Sequence, residues 1–405
     1  MATFATLVSL LFIFILDANK SAEAAKFFCS SGDVTCLIAA ITAANEKPGR
    51  NVIQLEPGIY TIQAGLPLIR RSIEIVAGSD AAPTIIEGSA DSLVAIFGVS
   101  LGGELLLDGL VIRKGRGGAE GPGAIGNAGT TTLRGTVITD STRNGADGAI
   151  INTGTLNVFS SAILDNVSLT GHFSGAINNQ QGTVLIENST IANNTAIGAG
   201  GILNRGSLVI KNSAIISNRT DCCQSGGGIN NRGSATIINS TIARNFGTLG
   251  FNPTAGGGGV ANIGIISIIN STITENRTFA VGGGIKNFVG GVVQIQNSIL
   301  AGNTSEPGQF PAFGGPDCSG TITSLGNNLF GDPTDCGVTL QPTDLTGDPG
   351  LGALVDDEEP GEVYYPVLAG SPVINAGNKH ACPNKDQLGN NRQGRCDIGA
   401  VDFRP

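Results

Sequence analysis

Between residues 123 and 303 the hydrophobic and polar positions recur in a fixed phase. A small-small-apolar core reads "GAIGN", "GAIIN", "GAINN", "GGILN", "GGINN", "GGVAN" and "GGIKN". Its apolar third positions are Ile125, Ile150, Ile177, Ile202, Ile229, Val260 and Ile285, separated by 25, 27, 25, 27, 31 and 25 residues. Two residues on, every copy carries Asn: Asn127, Asn152, Asn179, Asn204, Asn231, Asn262 and Asn287. A second β-branched run follows, as in "GTVLIENSTIANN" and "GSATIINSTIARN". It carries a second Asn series at Asn188, Asn212, Asn239, Asn270 and Asn297. A third series sits on an I/L-x-x-N pattern at Asn166, Asn194, Asn218, Asn245, Asn276 and Asn303, with Ser141 at that place in the first copy.

A unit of about 25 residues, built from short strands broken by Gly and Asn, cannot bury a core alone. Stacked coils can, with Ile over Ile and Asn over Asn at the spacing of paired strands, about 4.8 Å. Stacked Asn amides bond to their neighbours above and below, and Asn tolerates the left-handed backbone of tight corners. The pattern therefore predicts an all-β fold, a single-stranded right-handed parallel β-helix of about ten coils, roughly 50 Å long. A sandwich or propeller would need turn-linked antiparallel strands, which the phase-locked series fit poorly.

Flanking segments complete the outline. "NVIQLEPGIYTIQ", "RRSIEIVAG", "PTIIEG" and "GELLLDGLVIRKG" read as irregular earlier coils. Before them, "CLIAAITAANEKPG" places Leu37, Ala40, Ile41 and Ala44 at helical spacing, which predicts a short helix capping the open end. The expected organisation is a signal peptide over 1–24, an N-terminal cap over 25–50, the β-helix over 51–303 and an irregular C-terminal cap over 304–405. The apolar run from Phe4 to Leu16 is too short to span a bilayer and ends near a small-x-small site, Ala22-Glu23-Ala24; no Lys or Arg precedes Lys20. No second apolar span appears, so no integral membrane span is expected, and the protein is read as secreted or held at the cell surface.

Composition sharpens this picture. Gly numbers 61 of 405 residues and charged residues make up 14%, the reverse of a disordered chain. A formal charge of −9 argues against nucleic acid as a partner. Eight cysteines fall largely into local couples, Cys29 with Cys36, Cys318 with Cys336 and Cys382 with Cys396, which read as disulfides in an exported chain. Spacing does not prove their connectivity. The adjacent pair Cys222-Cys223 is open to three readings: a vicinal disulfide, a thiol ligand pair, or two loop residues without a special role. No CxxC pair exists and only His172 and His380 are available, so no metal site and no cofactor are expected. The acidic run from Asp344 to Glu362 lacks EF-hand spacing and reads as a solvated loop.

The stretch "TCLIAAITAANEKPGRNVIQLEPGIYTI" resembles the N-terminal cap and first coil of exported bacterial β-helix proteins of the CSLREA type. Cys36, Ala40, Ile41, Ala43, Ala44, Asn45, Pro57, Gly58 and Tyr60 carry the match, while Ile38-Ala39 replaces an Arg-Glu pair. The tail resembles the choice-of-anchor Q module through Gly370-Ser371-Pro372, Asn375-Ala376-Gly377, Asp386-Gln387, Gly389 and Cys396-Asp397-Ile398-Gly399-Ala400. The repeats are similar to those of chlamydial polymorphic outer-membrane proteins, with Ile for Phe. These resemblances imply a right-handed β-helix and export, and little chemistry.

Candidate chemistry is sparse. A glycosidase needs two positioned carboxylates. The repeat-region acids Asp140, Asp147, Asp165, Glu187, Asp221 and Glu275 form no such pair in sequence, so no catalytic residue is assigned. Arg205, Arg219, Arg232 and Arg244 recur at related places and read either as a solvated stripe or as a track for an acidic glycan. The segments before each Gly-Gly vary most in length, and His172, Phe173, Arg219, Phe246, Phe251 and Phe279 are the candidate binding-loop residues. The Phe side chains either meet a partner there or fold back over the coil ends. Eight Asn-x-Ser/Thr sequons arise from the repeat and read as structural. The leading functional reading is a non-enzymatic surface protein that binds an extracellular glycan or receptor. The alternative is a polysaccharide lyase or hydrolase working in a groove on the β-helix. An ice- or crystal-binding face would need regular outward Thr rows, and the Thr spacing is irregular.

Overall fold

The structure, a computed structural model, describes residues 24–405 apart from 80–81, 92, 94, 118–120, 144–147, 169–173, 222–225, 249–255, 307–314 and 393. Residues 1–23 of the expected leader, His172, Phe173, Phe251 and the Cys222-Cys223 pair lie outside the described residues. The chain winds into a parallel β-solenoid of about ten turns. Among the described residues its strands form four long parallel sheets of twelve, twelve, seven and nine strands. One coil illustrates the path. Ser207–Lys211 lies in sheet 1, Ala214–Ile216 in sheet 2, Arg219–Thr220 in sheet 3, and the next strand, Ile229–Asn231, in sheet 4.

Register follows the apolar period. Ile125, Ile150, Ile177, Ile202, Ile229, Val260 and Ile285 stack in sheet 4. Ile138, Ile163, Ile191, Ile215, Ile242 and Ile273 stack in sheet 2. All are fully buried, and each such side chain contributes about 1.5–3 kcal/mol of burial. At the N-terminal end the helix Val34–Asn45 buries Leu37, Ala40, Ile41 and Ala44, the four residues its spacing selects. Its N-cap Asp33 accepts a hydrogen bond from the Cys36 N–H at 2.9 Å, and the Cys29–Cys36 disulfide ties the helix to the first strand.

Two of the three Asn series are internal ladders. In the first, each Nδ2 donates to Oδ1 of the following coil, at 2.7–2.9 Å from Asn127 to Asn287. In the third, each Oδ1 accepts both the backbone N–H and the Nδ2 of the preceding coil's Asn, from Asn166 through Asn303. Ser141 joins by donating its N–H to Asn166. Asp317 ends this ladder by accepting from Asn303 N and Nδ2, both at 2.8 Å.

The second Asn series differs from expectation. At the corner between sheets 1 and 2 the inward ladder is made by serine: Ser161, Ser189, Ser213, Ser240, Ser271 and Ser298, each Oγ accepting the backbone N–H of the preceding coil. Asn188, Asn212, Asn239, Asn270 and Asn297 precede these serines in left-handed conformation, with φ between 44° and 51°, and point outward. Asn suits this place by the backbone it tolerates and by an outer chain of amides, in which Asn212 Nδ2 donates to Asn188 Oδ1, Asn239 Nδ2 to Asn212 Oδ1 and Asn297 Nδ2 to Asn270 Oδ1. Asn188 is exposed, so its sequon is not internal as expected, whereas Asn239, Asn270 and Asn297 are buried.

The tail is what buries them. The Cys318–Cys336 disulfide and the strands Cys318–Ser319, Thr323–Ser324 and Leu329–Phe330 continue the solenoid. The chain then doubles back along the outer face of sheet 2. Gly361 N donates to Thr190 Oγ1 at 2.8 Å, Thr241 Oγ1 donates to Gln387 Oε1 at 2.6 Å, and Ala400 N donates to Thr272 Oγ1 at 3.1 Å. Asn239 Nδ2 donates to Lys385 O at 2.6 Å. The buried Arg392 pairs with Asp402 and donates to Asn239 Oδ1 at 3.0 Å. The Cys382–Cys396 disulfide closes a loop of this strap.

Replacing Asn276 by Ala leaves the buried amides of Asn245 without their acceptor. It should cost about 3–5 kcal/mol, since each orphaned group costs about 1–3 kcal/mol, read as a lower urea midpoint. Replacing exposed Asn188 by Ala should stay within about 0.5 kcal/mol. Equal losses would mean that the ladder does not support the fold.

Candidate functional site

The residue after each third-series Asn faces outward in sheet 3. This rule stacks Arg219, Phe246 and Arg277 on neighbouring strands. The Arg219 guanidinium lies 5.0 Å from the Phe246 ring centre, and the Arg277 guanidinium 5.2 Å from it. Phe279 meets Phe246 edge-on at 5.0 Å and 86° and lies 5.3 Å from Arg277. Arg219 pairs with Asp221 at 2.5 Å and Arg277 with Glu306 at 2.6 Å. Exposed ion pairs contribute about 0–1 kcal/mol and exposed cation–π contacts about 0.5–1 kcal/mol. Their main effect is therefore orientation: two guanidiniums are held in fixed places beside an aromatic ring, each with a carboxylate neighbour.

Three sequence candidates, Arg219, Phe246 and Phe279, are thus brought together. Arg219 and Phe246 were expected in loops but lie in strands, because the ladder Asn before each locks the backbone into the sheet register. Arg277 and Glu306 were missed, although Arg277 follows Asn276 as Phe246 follows Asn245. The four repeat arginines do not form one stripe. Arg205 and Arg232 reach Asn178 and Asn230 of sheet 4. Arg244 sits at the left-handed corner after sheet 2 and pairs with Glu275 at 2.8 Å. Their places within the coil differ, so the winding separates them.

A second cluster lies on the outer face of sheet 1, in coils that sequence reading passed over. Glu74 pairs with Arg50 at 2.6 Å and Arg134 at 3.4 Å, and Arg134 also pairs with Asp108 at 2.6 Å. The Asp108 contact, outweighing the cost of burial, raises the Arg134 guanidinium above its ordinary value. Beside these lies a shallow depression of about 250 Å³, bordered by Ser72, Glu104, Thr130 and Thr132. Asp108 and Arg134 share a register row, whereas Glu74 lies opposite Leu106 in the next, so no spacing along the chain announces the cluster.

Tyr365 fastens the strap near the sheet 3 edge by donating to Glu275 Oε2 at 2.6 Å. Burial would raise the Glu275 carboxyl, but the Tyr365 hydroxyl and Arg244 outweigh it and hold it below the usual carboxylate range. A cavity of about 420 Å³ remains between the strap and sheet 2, floored by Leu164, Ala192 and Ile216.

No family model and no curated protein matches the chain. Among solved structures, the A-module of the mannuronan C-5 epimerase AlgE6 of Azotobacter vinelandii is similar over 81% of this chain and 94% of its own, with a TM-score of 0.37 and 15% identity.

The depressed Glu275 group stabilises the docked strap fully above its unfolded pKa, about 4.3. That contribution is lost as pH falls through the lower folded value. Hydrogen-exchange protection at Gly361 and Leu368 should therefore drop on acidification below about pH 4. Tyr365→Phe should flatten the drop, and an unchanged profile in that variant would remove Glu275 as its cause.

Proposed function

We propose that this is an exported β-helix protein that binds an extracellular glycan through the Arg219–Phe246–Arg277 edge without processing it. Its three described disulfides suit an oxidising compartment outside the cytosol. No helix among the described residues is long and apolar enough to cross a membrane. The CSLREA-type cap and choice-of-anchor-like tail are part of the same reading and point to the cell surface or medium.

The observation that carries the proposal is the in-register Arg–Phe–Arg stack with its carboxylate partners. Sugar recognition needs directed donors and acceptors beside an apolar surface. Guanidinium N–H groups, the carboxylates of Asp221 and Glu306, and the rings of Phe246 and Phe279 supply these along one edge. Each guanidinium is balanced by a carboxylate, and the whole chain carries −9. The edge therefore favours a neutral glycan over the acidic one considered from sequence.

The sheet 1 cluster supports a second reading, cleavage of a glycan. Two carboxylates, Glu74 and Asp108, share one guanidinium beside a depression. Arg50 and Arg134 engage both, which leaves Glu104 as the remaining acid at the depression.

Affinity electrophoresis in gels containing neutral or uronate polysaccharides tests both. A neutral polysaccharide should retard the protein, and the double substitution Phe246→Ala with Arg277→Ala should weaken retention at least about tenfold, as loss of an anchor does. Retention unchanged by the double substitution would refute the binding edge. Release of reducing ends that is lost in Glu74→Gln would establish the enzymatic reading instead.

A further inference from the structure

The outer face of sheet 4 brings together a lysine and a serine that neither the glycan-binding edge nor the sheet 1 cluster uses. Lys286 and Ser319 are register partners on adjacent strands, and Lys286 Nζ lies 3.0 Å from Ser319 Oγ. Ser319 is 7% exposed; its Oγ accepts from Lys286 Nζ and has no other hydrogen-bond partner among the described residues, so its own proton can pass to the amine once Nζ is neutral. Its neighbour Cys318 turns inward and is fixed by the disulfide to Cys336. The preceding coil places Ala261 against Lys286, and the Phe288 ring centre lies 5.7 Å from Nζ. Further along the same coils, where sheet 4 turns into sheet 1, Ile263, Ile265, Val289 and Val292 are exposed, with Ile265 and Val292 as register partners.

We propose that Lys286 and Ser319 form a base–nucleophile dyad that hydrolyses esters with a small apolar acyl group. A hydroxyl is a weak nucleophile until a neighbouring base takes its proton. Ser319 Oγ attacks the acyl carbonyl and its proton passes to Nζ. The C–O bond to the alcohol breaks, and the alcohol leaves with that proton. Water then attacks the acyl-serine, loses its proton to Nζ, and releases the acid as Oγ regains a proton. The exposed Ile and Val side chains offer a surface for the acyl group, and no oxidant, metal or co-reactant is needed.

The lysine is suited to this role. Burial lowers its pKa, and no charged group contributes to that shift. The side chains that face it are Ala261 from one strand, Ser319 from the other, and Phe288 along its own. Asp317, the nearest carboxylate in sequence, points inward to Asn303 N–H and Asp332 N–H.

The full chain is treated with a fluorophosphonate probe and assayed with p-nitrophenyl butyrate across pH 6–10. The adduct should map by peptide mass spectrometry to the segment carrying Ser319. Labelling and hydrolysis should fall about 100-fold or more in Ser319→Ala and in Lys286→Met. The wild-type rate should rise with pH and level off below the ordinary lysine pKa, about 10.4. Mapping the adduct on the wild-type chain decides the matter even where a variant fails to fold. An adduct elsewhere, no adduct at any pH, or full labelling of Ser319→Ala overturns the dyad; none of these outcomes bears on glycan binding by the sheet 3 edge.

Discussion

The fold depends on how backbone polar groups are satisfied at its inward corners. A solenoid turns its chain several times per coil, and each turn interrupts the ladder of backbone hydrogen bonds. Inside a dry core, an interrupted N–H must find another acceptor. The Asn and Ser ladders supply one in every repeat: the Oδ1 of Asn245 takes the N–H of Asn218, and the Oγ of Ser240 takes the N–H of Ser213. Because each acceptor comes from the adjacent coil, every coil must present the same residue at the same corner. That requirement fixes the register of all four sheets at once, and the Ile stacks follow from it.

The same logic explains how the ladders end. At the end of the third ladder no further Oδ1 follows for an amide to donate to, and a carboxylate, which only accepts, fits that place; the first ladder ends on Asn287 itself, whose Nδ2 donates to Gly291 O and Thr321 O instead. Asp317 closes the third ladder. Asp344 closes the corner after Ser298 and Asn328, accepting Asn328 N at 2.9 Å. Burial raises the Asp317 carboxyl, and the hydrogen bonds from Asn303 and Asp332 work against that rise. Both aspartates sit where the regular period is lost, so the polar chemistry and the end of the repeat coincide.

Much of this was legible in the sequence, and the part that was not has a physical cause. The apolar third positions and the first and third Asn series predict the coils because core positions tolerate few residue types. The second Asn series misled only in its placement: Asn188 and Asn212 have left-handed backbones and bond to each other on the outside of the corner, while the neighbouring serines do the internal bonding. The strap was hidden for a different reason: it contacts coils more than 100 residues away, as Asn239 meets Lys385. Its trace is the small outward residues Ala192, Ala214 and Ala243, which leave room for Val363 and Tyr365. At the candidate edge, Arg219, Phe246 and Phe279 were visible as odd residues in a bland repeat. Their convergence was not, because it depends on register rather than on spacing along the chain.

That last point governs where chemistry can arise on such a scaffold. Side chains on the same outward row of neighbouring coils stand about 4.8 Å apart at their backbones, close enough for hydrogen bonds and cation–π contacts. Arg219 and Phe246 are 27 residues apart in sequence, and Lys286 and Ser319 are 33, yet each pair occupies one row. Such pairs leave no motif, because the loops between coils change length freely while the register does not. Their geometry is nonetheless rigid, since three of the four members sit beside a locked ladder residue and the fourth beside a disulfide: Arg219 follows Asn218, Phe246 follows Asn245, Lys286 precedes Asn287, and Ser319 follows Cys318. The ladders that remove freedom from the interior therefore also pre-position the exterior. A substitution at a ladder Asn should disturb the outward residue next to it before it disturbs distant coils. Function on this molecule is best sought one residue away from its most regular positions.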